Sequence, residues 1–151
     1  GKSTIAHLIP RFYDVTGGRI TIDGQDIRDV TLDSLRAHVS VVQQDTFLFK
    51  TEVRDNVAYG DPAAEDDRVV DAADTAQLHD YVAGLPEGYD TLVGERGVSL
   101  SGGQRQRLSI ARSVLLTPRI IVFDDSTAAI DAGTDRVPMT ILSNWLSSVE
   151  R

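Results

Sequence analysis

Leu100-Ser101-Gly102-Gly103-Gln104 is the stretch that decides the fold of this chain. Ser101 is a typical helix N-cap residue, and the two glycines after it have no side chains to cover the backbone N–H groups of the first turn. The start of a helix attracts anionic oxygen. The stretch therefore predicts a phosphate-seeking element at the beginning of a helix.

A second stretch of the same chemical kind, Gly1-Lys2-Ser3-Thr4, opens the chain. It has the residue types that close a phosphate-binding loop: an ammonium for the β- and γ-phosphates, a hydroxyl for Mg²⁺, and a helix N-terminus behind them. One such loop predicts a nucleotide-binding protein. A second phosphate-seeking stretch in the same chain is found in far fewer kinds of nucleotide-binding protein. A phosphate loop normally follows a buried strand and an earlier glycine, so we expect the chain to be cut at its beginning.

Two carboxylates, Asp124 and Asp125, follow the apolar run at residues 120–123. This run is expected to be a fully buried strand, and in open α/β sheets ligands bind at the carboxyl ends of the strands. A second buried strand is expected at residues 39–42, immediately before Gln43 and Gln44. The pattern predicts that polar side chains from both strands meet at one edge of a sheet.

Composition excludes several classes of protein. The net charge of −8 and the lack of a basic stripe argue against a nucleic-acid partner. The chain has no cysteine, so disulfides and thiolate chemistry are excluded. No apolar run approaches the length that crosses a bilayer.

The order of elements predicts an α/β fold. Helices are expected at residues 2–9, 32–38 and from Gly103 to about Leu116, with a strand and tight hairpin around Asp23 and Gly24. Short helical pieces at residues 46–86 indicate an inserted helical subdomain. Four parts are predicted: part of a nucleotide-binding core at 1–45, a helical subdomain at 46–116, a strand and following loop at 117–135, and an atypical C-terminal helix at 136–151.

The ordered series of motifs closely resembles the ATPase domain of ATP-binding cassette (ABC) exporters of the multidrug and lipid-exporter branch. Besides the stretches above, the resemblance includes residues 11–14, 22–24, 32–35, 41–45 and 94–97. It implies a P-loop NTPase fold with an inserted helical subdomain, here truncated at both ends. It also implies a switch histidine after residue 131, and none of the three histidines lies there.

The resemblance also implies a role for each motif. Catalysis is assigned to Asp125 and Gln44, and Mg²⁺ binding to Ser3, Gln44 and Asp124. ATP binding is assigned to Gly1, Lys2, Ser3, Thr4, Ser101, Gly102, Gly103 and Gln104. The loop at 128–131 is expected to cross to a partner subunit, and residues 91–97 to contact the membrane domain.

Asp125 departs from the family pattern, which usually has a glutamate at this position. A side chain shorter by one methylene displaces the carboxylate, and a displacement near 1 Å can slow a reaction about 10²-fold. The sequence therefore predicts ATP binding with slow hydrolysis, as in the weakened site of heterodimeric exporters. The aromatic residues Phe12 and Tyr13 are expected to belong to the core rather than to stack on a base.

Three functions remain open at this stage. The first is the ATPase domain of an exporter, which pairs with a second ABC ATPase domain, identical or different, and docks on a transmembrane domain at the cytoplasmic face of the cell membrane. The second is a DNA-repair or chromosome ATPase of the same superfamily, disfavoured because no heptad run separates Gln44 from Leu100. The third is a truncated or degenerate-site module that binds nucleotide or a partner without significant hydrolysis. Some importers share this type of domain, and the sequence does not name a transported substrate.

Overall fold

Six α-helices and two small sheets make up residues 2–43, 46–94 and 97–124, which are the residues that the structure, a computed structural model, describes. In chain order the elements are α1 (Lys2–Leu8), β1 (Thr21–Ile22), β2 (Gln25–Asp26), α2 (Leu32–His38), β3 (Val39–Val42), α3 (Val53–Val57), α4 (Asp66–Thr75), α5 (His79–Ala83), α6 (Gly102–Leu115) and β4 (Ile120–Phe123). Single 3₁₀ turns lie at Ile27–Asp29, Ala58–Gly60 and Gly88–Asp90. The α/β class is therefore confirmed.

Strands β3 and β4 pair in parallel, although a long stretch of chain separates them. Val39 lies opposite Ile120, and Val42 lies opposite Phe123. The pairing continues past the strand ends, because the Asp124 N–H donates to the Val42 carbonyl at 3.0 Å. Parallel strands end at the same edge of a sheet, so the residues that follow β3 and β4 lie side by side.

Helix α6 holds the larger core together. Its apolar positions Leu108, Ala111 and Leu115 recur at helical spacing and are all buried, as the sequence predicts. They pack in one cluster with Val69 and Ala73 of α4. Burying a leucine side chain contributes about 1.5–3 kcal/mol, so this contact fixes α6 against the helices at 53–83.

A smaller core lies under the β1–β2 hairpin. Ile27, Leu35 of α2 and Val39 of β3 form it, and Ile9 packs against it from the end of α1. Helix α2 begins at a capped end, where Thr31 Oγ1 accepts a hydrogen bond from the Ser34 N–H at 3.2 Å. This cluster joins α1 and α2 to the base of the parallel pair.

The β1–β2 hairpin turns through Asp23 and Gly24, whose φ angles are 52° and 82°. Two successive positive φ angles are typical of the tight turn that suits the right-handed twist of paired strands, and Asp-Gly is a favoured sequence for it. The predicted hairpin is confirmed.

Two expectations about burial were wrong. Strand β4 is half-buried rather than fully buried, because among the described residues it pairs only with β3. Phe12 and Tyr13 are 46% and 69% exposed, so they are surface residues and not core. Phe12 instead meets the His7 ring edge-on at 5.8 Å and lies under the Arg36 guanidinium at 5.3 Å.

The predicted division into four parts stays a prediction. Residues 125–151 lie outside the described residues, and with them Asp125, the loop at 128–131 and the predicted C-terminal helix.

Candidate functional site

The edge of the parallel sheet carries a buried carboxylate oxygen, Asp124 Oδ1, that has no hydrogen-bond partner among the described residues. The hydrogen bond from the Asp124 N–H to the Val42 carbonyl fixes the backbone of Asp124 and therefore the position of its Cα. A buried polar atom without a partner costs roughly 1–3 kcal/mol, and more when it is charged. Such an atom fits a bound cation or donor as its missing partner.

The sequence-predicted residues around Asp124 are described in part. Gln43 follows β3 and is exposed, while Gln44 and Asp125 lie outside the described residues. The register of β3 and β4 nevertheless brings the chain at Gln43 and Asp124 to the same edge. The predicted meeting of the two strand ends is therefore confirmed for the backbone.

Helix α1 presents its first turn to the surface. Ser3 and Thr4 are exposed, and Ala6 is buried and holds the helix against the body of the protein. Lys2 begins the helix, but its side chain is outside the description, as is Gly1. The hydroxyls of Ser3 and Thr4 are thus available at the surface to a phosphate or a hydrated cation.

Ser101 begins α6 with a reciprocal pair of hydrogen bonds. Its Oγ accepts from the Gln104 N–H at 3.2 Å, and Gln104 Oε1 accepts from the Ser101 N–H at 2.7 Å. This capping box fixes the first turn and satisfies two of its N–H groups. Leu100 anchors the stretch because it is buried, and Arg105 Nη1 donates to its carbonyl at 2.6 Å.

Gly102 has no packing partner in the described structure that would require a glycine. A Cβ placed on it would come no closer than 3.9 Å to another heavy atom, the Nη2 of Arg105. Its φ is not positive either, so an L-residue would adopt the same backbone. The bare backbone at this exposed position is open to a ligand that approaches from outside. That fits an anionic ligand better than it fits the fold.

The described hydrogen bonds do not join the two halves of the predicted site. Ser101 bonds within its own turn, and Asp124 bonds to β3. The structure thus brings the ends of β3 and β4 together, while Ser101 and Gly102 lie exposed at the start of α6.

A polar network that the sequence did not predict joins the buried Asn56 of α3 to the half-buried Arg112 of α6. Asn56 has no exposed surface, and its Oδ1 accepts from Arg112 Nη2 at 2.6 Å and from the Phe49 N–H at 3.0 Å. Arg112 Nη1 also donates to the Phe47 carbonyl at 2.6 Å. One signal was in the sequence: Asn56 is a polar residue between the apolar Val53 and Val57 of a short helix.

Three aromatic side chains, Phe47, Phe49 and Tyr59, form a cluster that we call the aromatic surface. Phe49 stacks on Tyr59 with ring centroids 4.1 Å apart and meets Phe47 edge-on at 5.0 Å. Phe47 is 71% exposed and Tyr59 60% exposed. Exposed apolar side chains that contact one another mark an interaction site more strongly than scattered ones.

The segment at residues 91–98 lies beside the chain that carries the aromatic surface. The Val93 N–H donates to the Thr51 carbonyl at 3.0 Å, and the Val53 N–H donates to the Thr91 carbonyl at 3.0 Å. Gly97 sits so close to the Leu92 carbonyl that a Cβ there would overlap it, so this turn requires a glycine. Glu95 and Arg96 lie outside the described residues.

Residues 2–43, 46–94 and 97–124 contain neither a cluster of metal-binding side chains nor a membrane-spanning helix. This part of the chain has no group of three or more His, Cys, Asp or Glu side chains able to hold a metal ion. Mg²⁺ bound to a nucleotide does not need such a group, because one or two carboxylates, water and phosphates suffice. None of the helices in these ranges combines the length and the apolar character that a membrane span needs.

Comparisons with known proteins agree with this geometry. The family model described as "ABC transporter" matches residues 1–128. Proteins named as multidrug export ATP-binding/permease proteins in Staphylococcus aureus strains NCTC 8325 / PS 47 and bovine RF122 / ET3-1 are each 53% identical over 137 residues, which are 91% of this chain and 24% of the relative. The chain thus spans about a quarter of the length of these relatives.

A solved structure matches as well. Its title is "Structure of a bacterial Atm1-family ABC exporter with ATP bound", and the match has a TM-score of 0.86 at 49% identity over 95% of this chain and 25% of that one. The P-loop NTPase fold inferred from the motifs is confirmed by this likeness. The chain belongs to the ABC transporter family.

Proposed function

We propose that this chain is the nucleotide-binding part of a membrane exporter and that it binds ATP with Mg²⁺ at the shared edge of β3 and β4. The observation that carries the proposal is the buried Oδ1 of Asp124 at that edge, which no group in the described part of the chain partners. The printed names of the relatives, export ATP-binding/permease proteins and an exporter with ATP bound, support the same function.

Asp124 and the residues at the start of the chain would bind different parts of the Mg²⁺–ATP complex. Asp124 would hold Mg²⁺ through water, and the Ser3 hydroxyl would bind it directly from the exposed first turn of α1. Lys2, Gly1 and Thr4 would bind phosphate. When bound, the metal ion neutralises charge on the phosphates. Gln44, two residues after β3, would orient the attacking water next to Asp124.

The 100–104 stretch would bind the nucleotide of a second ABC ATPase domain rather than that of its own. Two features support this assignment: the bare backbone at Gly102 faces outward, and no described hydrogen bond links the stretch to Asp124. Ser101, Gly103 and Gln104 shape the same turn. Two domains would thus enclose ATP between the edge of one and the stretch of the other, whether the two are identical or different.

The aromatic surface would dock on the transmembrane domain of the exporter. Phe47 and Tyr59 expose large apolar rings to solvent, and the 91–98 segment lies beside them. Covering these rings would remove apolar area from water, which stabilises association. The domain would then lie at the cytoplasmic face of the membrane, where ATP is available.

A module without significant hydrolysis remains the second candidate because of Asp125. Its carboxylate would polarise the attacking water from a position one methylene short of the usual glutamate. ATP would then close the domains while turnover stays slow, as expected of a weakened site in a heterodimer.

Asp124→Asn tests the nucleotide site. In the intact protein that contains this chain, the melting temperature without ligand is expected to stay the same or rise, because the buried charge is removed. The increase in melting temperature on adding ATP with Mg²⁺ is expected to fall to a small fraction of the wild-type value. Asp71→Asn, at an exposed position of α4, serves as the control and should keep the full increase. An unchanged increase in Asp124→Asn would contradict the proposed site.

Asp125→Glu separates the two candidate functions. If the chain is a weakened ATPase, the glutamate is expected to raise the turnover number for ATP by about 10²-fold with little change in ATP affinity. Asp71→Glu should leave both quantities unchanged. ATP hydrolysis by the intact protein, measured as phosphate release, gives the answer. Negligible phosphate release by both wild type and Asp125→Glu, with ATP still bound, would favour a module that binds without hydrolysing.

Tyr59→Asp tests the docking proposal. A charge in place of an exposed ring is expected to weaken contact with an apolar partner surface, since the carboxylate would lose its water. We expect ATP turnover of the intact transporter to lose its dependence on the membrane domain, measured as the ratio of activity in lipid to activity in detergent. Tyr13→Asp, at an equally exposed ring outside the aromatic surface, is the matched control. The same ratio in both variants would refute docking at Tyr59.

A further inference from the structure

Arg112 lies at a junction of three parts of the chain. Its Nε donates to the Asn56 carbonyl at 2.5 Å, its Nη2 donates to Asn56 Oδ1 at 2.6 Å, and its Nη1 donates to the Phe47 carbonyl at 2.6 Å. The guanidinium carbon also lies 5.2 Å from the centre of the Phe49 ring. One side chain of α6 therefore holds both α3 and the segment at residues 47–49.

Asn56 completes the junction from the other side. Its Nδ2 donates to the carbonyls of Phe49 and Glu52, both at 3.0 Å, while its Oδ1 accepts from the Phe49 N–H. The amide thereby supplies hydrogen bonds to the backbone of Phe49 and Glu52 in addition to the pairing of Thr51 with Val93. These bonds tie the segment to Asn56, and the bond from Arg112 to the Phe47 carbonyl ties it to α6.

The hydrogen bonds of Arg112 require the shape of a guanidinium group. Burial lowers the pKa of the Arg112 guanidinium from its ordinary value, which reflects the cost of removing its charge from water. The described acceptors are uncharged oxygens, so the cost is offset by several hydrogen bonds in a planar fork. A lysine carries the same charge but cannot reach the three oxygens in this fork. Arginine is thus required for its shape.

The junction lies between the two surfaces that the proposed function uses. Helix α6 begins at Gly102, directly after the Ser101 cap, and Arg112 lies ten residues further along the same rigid helix, roughly 15 Å at 1.5 Å per residue. At the other end, the clamped segment carries Phe47 and Phe49 of the aromatic surface. Thr51 lies two residues beyond Phe49, and its carbonyl accepts a hydrogen bond from the Val93 N–H. This bond links the chain after residues 47–49 to the 91–98 segment.

We propose that Arg112 is a positioning residue that transmits movement of the 100–104 stretch, through α6, to the aromatic surface. This inference rests on the proposed function, since it assumes that a nucleotide acts on the 100–104 stretch. Nucleotide bound at Ser101 moves α6 as a rigid unit. The Arg112 guanidinium, bonded to Asn56 and to the Phe47 carbonyl, then moves the side chains of the aromatic surface with the helix. Docking and nucleotide binding are then coupled through a single half-buried guanidinium.

A purely structural role for Arg112 makes a different prediction, and Arg68 provides the matched comparison. Arg68 also ties α6 to its surroundings, through a bond from Nη2 to the Leu115 carbonyl at 3.0 Å and an ion pair with Asp61 at 2.9 Å. It touches no part of the aromatic surface in the described contacts. Arg68→Lys therefore weakens a tether of α6 without affecting the junction.

The experiment is hydrogen exchange on the intact protein, with and without ATP and Mg²⁺, in wild type, Arg112→Lys and Arg68→Lys. Peptides covering 100–105 report on the nucleotide end, and peptides covering 47–52 and 91–94 report on the docking end. The Phe49 N–H is a direct reporter because it donates to Asn56. In wild type and Arg68→Lys we expect ATP to slow exchange at both ends by about fivefold or more, the lower range of coupling between sites.

Arg112→Lys is expected to keep the response at residues 100–105 and to lose it at 47–52 and 91–94. Equal responses at both ends in Arg112→Lys and wild type overturn the proposal. If Arg112→Lys does not fold, the wild-type protein alone decides: a response to ATP at 100–105 without one at 47–52 overturns transmission, and slowing at both ends supports it. No response at either end in wild type refutes the proposed function, and this inference with it.

Discussion

The parallel register of β3 and β4 is the constraint on which the rest of the structure depends. It brings together two strands that are remote in sequence and extends one hydrogen bond beyond them, from Asp124 to Val42. Without this register, Asp124 would not lie beside the chain that leads to Gln44. Next to this pairing the Asp124 Oδ1 is buried and has no partner within residues 2–43, 46–94 and 97–124, a cost that a bound cation would remove. The unpartnered oxygen lowers the stability of the fold and at the same time leaves the atom able to bind a cation, a conflict that is common at binding sites.

Helix α6 connects the other features to that edge. Its apolar side packs on α4, its N-terminus is fixed by the Ser101 cap, and its far half carries Arg112. A helix fixed along one side moves as a unit, because close-packed cores do not deform continuously. The exposed glycine at one end and the aromatic surface near the other are thus held by a single rigid element. This arrangement is suited to a domain that must respond to nucleotide at one surface and act on a partner at another.

Much of this could be predicted from the sequence, and the exceptions have physical reasons. The hairpin at Asp23 and Gly24, the buried positions of α6 and the strand ahead of Asp124 follow from turn chemistry and periodicity, which are local. The exposure of Phe12 and Tyr13 could not be predicted, because the burial of an aromatic ring depends on which residues the fold packs around it. Asn56 between two valines indicated a buried polar side chain, but its junction with Arg112 could not be predicted, because most of the partners are backbone carbonyls of residues remote from α6 in sequence. The half-burial of β4 depends on which strands flank it, and that is a property of the sheet and not of the strand.

The most direct test of the account is electron paramagnetic resonance of Mn²⁺ in place of Mg²⁺ on the intact wild-type protein, with and without ATP. The account predicts that ATP and Mn²⁺ bind together at this domain and that the bound Mn²⁺ shows hyperfine coupling to the phosphorus nuclei of the nucleotide. Binding of ATP without Mn²⁺, or bound Mn²⁺ without coupling to phosphorus, would contradict a metal–nucleotide site at the edge of β3 and β4.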